Sequence, residues 1–285
     1  MKRRTSIAVL HAAVLAFLLG TAAGAAAEPA SGVLRVCQDP NNLPFSNEQG
    51  EGFENRIAQI LADEMKVPLE TVWYPQRMNV VRNTLRYRLP GDVGYRCDLL
   101  TGMPASFDAV ATTKPYYRST YVLAYVKGRG LEVDSSDAFL ALDRAQLSKL
   151  RIGVYDRSPV VRWLTRHGLV DQAVPYQTMN PDPSHYPGQL IDRELASGRI
   201  DVAMIWGPIA GYFASRVQNA EIAVVPLKSE PGVPFDFAMS MGVRHGEPEW
   251  RARIQAALDA NRERIDAVLR EFGVPLVDEA GDPLP

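Results

Sequence analysis

The feature that most constrains this chain is an alternation of short apolar runs with helix-spaced apolar stripes, interrupted once and then begun again. Residues 33–37 read as a short buried strand, followed by a polar, proline-broken loop through Phe45. Phe53, Ile57, Ile60, Leu61 and Met65 then recur at the spacing of one helical face, and Val67-Pro68 ends that helix. Residues 69–73 read as a second strand, 78–87 as a helix and 97–102 as a third strand. Strand, helix, strand in that order gives a parallel sheet covered by helices.

A strand-like run at 121–127 leaves this unit. A second alternation begins at 152–155, with a helix after Pro159, a strand at 172–176, a helix marked by Leu190, Ile191, Leu195 and Ala196 and stopped by Gly198, and a strand at 201–205. Pro208 opens the next helix, at the first-turn position that suits proline. Residues 221–227 read as a strand leading back, 237–243 as one more strand, and 248–272 as a single long amphipathic helix. The chain is expected to leave one lobe, build a second and return. Residues 28–121 and 226–285 then form lobe one and 122–225 lobe two, each a mixed sheet flanked by helices, with two hinge crossings. A cleft between lobes is the usual seat of a ligand, and hinge closure is the expected motion.

Lys2, Arg3 and Arg4, an apolar run of about 13 residues, and Ala25-Ala26-Ala27 make residues 1–27 a secretory signal with an Ala-x-Ala cleavage site. The run is short of the roughly 20 residues that span a bilayer. An exported protein without membrane insertion is expected. Net charge is −2 and no basic face stands out, which argues against nucleic acid as the partner. The two cysteines, Cys37 and Cys97, meet an oxidising compartment after export. Placed on parallel strands they fall at opposite ends, beyond the Cα separation of about 7 Å that a disulfide needs. The irregular stretch at 90–96 relaxes that argument, so a bond and two buried thiols both fit the sequence.

Leu34-Arg35-Val36-Cys37-Gln38-Asp39, Pro44-Phe45-Ser46 and Gly52-Phe53-Glu54 resemble the opening of type II periplasmic solute-binding proteins. Asp98-Leu99-Leu100-Thr101-Gly102-Met103, Lys114-Pro115-Tyr116-Tyr117 and Gly198-Arg199-Ile200-Asp201-Val202-Ala203 resemble that family's later landmarks, in the same order. A narrower likeness lies in Asp39-Pro40-Asn41-Asn42-Leu43-Pro44-Phe45-Ser46-Asn47, Tyr74-Pro75-Gln76-Arg77 and Pro115-Tyr116-Tyr117-Arg118-Ser119, which are similar to the methanol-dehydrogenase-associated MxaJ/XoxJ subfamily. That resemblance implies a periplasmic accessory role in the maturation or activation of a PQQ-dependent alcohol dehydrogenase, with that enzyme and its cytochrome c as partners. No enzyme activity and no cofactor of the chain's own are expected, because the residues offer no catalytic constellation.

Amino-acid-binding members of the fold usually carry an arginine shortly after the Gly-Met landmark and an acidic residue at the end of the lobe-two strand. By counting, those positions hold Ala109 and Trp206 here. A free amino acid would leave two charges uncompensated. The cleft is therefore expected to be lined by rings: Phe45, Tyr116, Tyr117 and Trp206, with Met103 beside them, although each suits a core position equally. Asp39 and Asn42, on the loop after the first strand, are the polar candidates. Arg77 and Arg118 suit a carboxylate or phosphate, or a salt bridge. His167, His185 and His245 are scattered, and no catalytic or metal-binding spacing stands out. The alternative function is an ABC-transporter solute-binding protein for a small ligand other than an amino acid.

Overall fold

A computed structural model describes residues 32–76, 79–92, 94–178, 182 and 184–284. The expected leader and its expected cleavage site fall outside the described residues. Among the described residues, no helix is long and apolar enough to cross a membrane.

The first unit is built on strands β1 (Leu34–Gln38), β2 (Leu69–Trp73) and β3 (Leu99–Pro104), with β1 parallel to both of the others. Helix α1 (Phe53–Met65) crosses between β1 and β2. Its stripe of Phe53, Ile57 and Leu61 is fully buried, in one core with residues of the C-terminal helices. The Gly52 amide, just before the helix, donates to the Asn55 side chain at 3.0 Å. Gly52 is required there, because a Cβ would stand 2.1 Å from the Phe45 carbonyl oxygen. Lys66 ends the helix in the left-handed region at φ 56°, two residues ahead of Pro68.

Strand β4 (Tyr117–Val126) carries the chain into the second unit. There β5 (Ile152–Tyr155), β6 (Ala173–Tyr176), β7 (Val202–Trp206) and β8 (Ile222–Pro226) follow, with helix α2 (Pro159–Arg166) after β5 and α3 (Gly207–Ala214) after β7. β9 (Asp236–Val243) brings the chain back, antiparallel to β3. The path across the strands is β2-β1-β3-β9-β4-β7-β5-β6, with β8 also on β4. The two units meet on β4. Tyr117 to Thr120 pair with β9, whereas Tyr121 to Tyr125 pair with β7 and Val122 to Val126 with β8.

Three expectations need correction. The helix expected at 78–87 is a single described turn, Val80–Asn83. The Thr84 hydroxyl bonds back to the Val80 carbonyl, Leu85 turns inward beside Cys37, and Arg96 donates to the Asn83 carbonyl at 2.8 Å. The long C-terminal helix is two, α4 (Pro248–Ala260) and α5 (Arg262–Glu271). Asn261 breaks them because its buried side chain donates to Glu64 of α1 and to the Ala257 carbonyl. Cys97 lies two residues ahead of β3 and does not begin it. The chain bends there, so Cys37 and Cys97 are disulfide-bonded with Cα atoms 5.7 Å apart.

Candidate functional site

Both lobes contribute to a cavity of about 280 Å³. Lobe one supplies Asn42 and Gln76, from the loops after β1 and β2. These loops are tied by Asp39, whose buried carboxylate accepts from the Asn41 amide at 2.9 Å and the Gln76 amide at 2.7 Å. Asp39 thus shapes the wall from beneath it.

Tyr121 and Trp206 form the floor where the lobes meet, as direct register partners on β4 and β7. Their rings lie 5.4 Å apart, and Phe237 packs against both. Burial pushes the Tyr121 hydroxyl up to about 12, so it stays a protonated donor at neutral pH. Lobe two adds Tyr155, Arg157, Ser158, Tyr186 and Pro187. The Tyr155 hydroxyl donates to the Pro187 carbonyl at 2.8 Å, and the Tyr186 hydroxyl to Asp192 at 2.8 Å. His185 also lines the cavity and pairs with Asp182 at 3.3 Å. No carboxylate lines the cavity among the described residues.

Of the residues singled out from the sequence, the cavity brings together Asn42 and Trp206. The others fall elsewhere, for identifiable reasons. Met103 is buried against the disulfide. Tyr116 is buried in the lobe-one core, where its hydroxyl accepts from the Gly102 amide and donates to Glu54. Tyr117 packs edge-on to Tyr116 and Phe53, and Phe45 packs edge-on to Phe53. Arg118 pairs with Asp236 beside the lobe junction. Arg77 lies outside the described residues. Asp98 bridges Arg35 at 3.1 Å and Arg244 at 3.0 Å, which makes it a structural ion-pair centre.

Sequence reading missed Tyr121, Tyr155, Tyr186 and Arg157. Tyr121 was visible only as part of a strand. Its role depends on which residue of β4 faces the crossing point, and the periodicity of one strand does not specify that. The sequence from Gln177 to Gln189 carried a usable signal, since a run of Pro, Tyr and amides without a helical or strand period is commonly functional.

No family model matches the chain. It is 30% identical over 272 residues to the protein MoxJ of Paracoccus denitrificans, with 90% of this chain and 95% of that one covered. Among solved structures, the periplasmic binding protein XoxJ from Methylobacterium extorquens AM1 shares 38% identity at a TM-score of 0.69, over 86% of this chain and 100% of the other. MxaJ from Methylophaga aminisulfidivorans MPT shares 27% identity at a TM-score of 0.71, with the same coverage.

Proposed function

The chain belongs to the family of MoxJ, MxaJ and XoxJ, type II periplasmic binding proteins, and we propose that it serves as a periplasmic accessory protein of a PQQ-dependent alcohol dehydrogenase. In this reading the chain engages the dehydrogenase, or a ligand of that system, through its interlobe cleft during maturation or activation. It holds its guest and does not transform it.

The observation that carries the reading is the wall of the cleft. Tyr121, Tyr155, Tyr186 and Trp206 line it, and no carboxylate stands there among the described residues to receive an ammonium group. A zwitterionic amino acid would leave its ammonium without a partner, which is costly in a partly desolvated cleft. Rings offer contact area and little conformational entropy to lose, which suits a flat guest or an inserted side chain.

The test is removal of this chain from a cell that makes the dehydrogenase. The expected result is lower dehydrogenase activity at unchanged dehydrogenase abundance, with the two proteins recovered together from periplasmic extract. Full activity and no association would overturn the accessory role.

The walled cavity also favours a second reading, a solute receptor for an importer. A thermal-shift screen of small solutes separates the two, because a tight ligand stabilises the protein by mass action. A nutrient that raised the melting temperature strongly, with dehydrogenase activity indifferent to the chain, would select the receptor.

A further inference from the structure

No basic face stands out from composition, because the formal charge of −2 conceals a local excess. Between Tyr74 and Arg96 the sequence holds Arg77, Arg82, Arg86, Arg88 and Arg96 against one acid, Asp92. The fold gathers Arg82, Arg86, Arg88 and Arg96 on a hairpin of lobe one and the turn that leads into it. Tyr87 to Leu89 run back against Gly94 to Arg96. The Arg96 amide donates to the Tyr87 carbonyl and the Leu89 amide to the Gly94 carbonyl, both at 2.9 Å. Arg86, Tyr87, Arg88 and Pro90 are exposed. The returning arm ends on Cys97, whose bond to Cys37 fastens the hairpin to β1.

Among the described residues, none of these four arginines meets a carboxylate. Arg86 donates to the Ala109 carbonyl at 2.7 Å, Arg88 to the Tyr95 hydroxyl at 3.1 Å and Arg96 to the Asn83 carbonyl at 2.8 Å. Arg82 is exposed and makes no ion pair there. Rings hold the guanidiniums in place. Arg96 lies 4.1 Å from the centre of the Tyr87 ring and 5.6 Å from that of Tyr74, and Arg88 lies 4.6 Å from that of Tyr95. The carboxylates of Asp98 and Glu247 are engaged by Arg35 and Arg244. Asp108, next to Ala109 in the chain, is exposed and offsets part of the excess.

Two exposed large apolar side chains fall in the same region, Tyr87 at 39% and, two residues before Ala109, Phe107 at 37%. Arginine and tyrosine are the residues that protein interfaces concentrate. A guanidinium already held in place matches a fixed carboxylate with its fork and loses little freedom on docking. A fluid layer of lipid headgroups gains nothing from such fixed placement. We propose that the hairpin is a docking element for a carboxylate-bearing face of a partner protein, seated at the rim of the cleft. Tyr74, which packs under Arg96, stands two residues before Gln76 of the cavity wall. A partner on the hairpin therefore reaches the mouth of the cleft. The proposal takes the dehydrogenase as that partner, and in this respect it rests on the accessory reading.

The experiment titrates the purified mature protein with the dehydrogenase purified from the same cell, at increasing sodium chloride. Wild type is expected to bind, with affinity falling as salt rises. Arg82→Gln combined with Arg86→Gln and Arg88→Gln should bind at least about tenfold more weakly. The control, Arg144→Gln with Lys149→Gln and Arg162→Gln, removes the same charge from exposed positions of lobe two and should bind as wild type does. Arg82→Gln alone disturbs no described contact, and it carries the test if the triple variant is unstable, with an expected loss of about twofold to fivefold.

Wild-type affinity in the hairpin variant, an equal loss in the lobe-two control, or affinity indifferent to salt would each overturn the docking element and leave the accessory reading standing. Absence of binding by wild type would remove the accessory reading, and the proposed partner with it. Phosphatidylglycerol vesicles are the last probe. Vesicle binding that the hairpin substitutions abolish, with dehydrogenase binding untouched, would assign the hairpin to a membrane surface and overturn the proposal.

Discussion

Glu54 is the residue whose environment departs furthest from its ordinary chemistry. It sits in the first turn of α1 at 1% exposure, with the Tyr116 hydroxyl on one oxygen and no partner for the other among the described residues. Burial raises its carboxyl from 4.5 to about 8, and the hydrogen bond from Tyr116 offsets only part of that. The folded protein therefore keeps a proton that the unfolded chain releases near 4.5. The stabilisation is complete below pH 4.5 and is lost as pH rises toward 8. Urea unfolding at pH 5, 6, 7 and 8 should show stability falling across that window, and Glu54→Gln should flatten the fall and be the more stable protein at pH 8. Parallel profiles for the two proteins would mean that Glu54 is not the group responsible. The disulfide makes a second claim at this scale. It closes a loop with a sequence separation of 60, for which chain entropy alone gives about 4 kcal/mol. Cys37→Ala with Cys97→Ala should lower the unfolding free energy by that order, read from the urea midpoint, and a loss under about 1 kcal/mol would show that the unfolded chain is already constrained there. Neither claim was legible in the sequence. Pairing of the cysteines depends on a bend ahead of β3, and the burial of Glu54 depends on Tyr116, 62 residues away, folding over it.

The elements themselves were largely legible, because strand and helix periods are local properties. β2 and β5 fall where apolar runs place them, and α1 follows its stripe. What failed was continuity. The Asn261 break and the single turn at Val80–Asn83 both arise when a polar side chain finds a tertiary partner that the pattern does not encode. The packing of α3 is a further case, and it carries a prediction. A Cβ on Gly211 would stand 1.8 Å from the Gly273 carbonyl oxygen, in the turn after α5. Gly273 itself has φ 69°, and Tyr212 stacks on Phe272 beside the contact. Backbone meets backbone here, so no side chain can give way. Gly211→Ala favours helix by propensity, yet it should destabilise by about 3 kcal/mol, the upper end of ordinary overpacking. A fall in melting temperature is the expected readout, and a rise would show that α3 does not press on that turn. The sequence shows two glycines far apart and nothing to join them.

At the scale of the whole molecule the question is where the lobes articulate. The chain enters lobe two along β4 and comes back at β9, and the two strands run side by side at the junction with Asp236 opposite Thr120. One carboxylate fastens this place. Asp236 accepts from the Arg118 guanidinium on β4 and from the Ser229 hydroxyl on the returning segment, and Ser229 in turn accepts from the Phe235 amide at 2.8 Å. Arg118, which from the sequence suits a ligand carboxylate or a salt bridge, makes a salt bridge here and braces the joint. Tyr121 comes three residues later on the same strand and forms the cavity floor, so slack at the brace is transmitted to the floor by a continuous backbone. The brace lies outside the buried clusters that hold α1 and α2: Phe53, Ile57 and Leu61 belong to one, and Val160, Trp163 and Leu164 to the other. Asp236→Asn keeps the shape and removes the charge that holds Arg118. It should speed amide hydrogen exchange at Ser119 to Tyr121 and at Phe235 to Phe237 while α1 and α2 keep wild-type protection, since local opening is confined to the segment whose contacts are lost. Exchange that rose evenly over both lobes would make Asp236 a support of global stability. Exchange unchanged at the junction would place the articulation elsewhere in the chain.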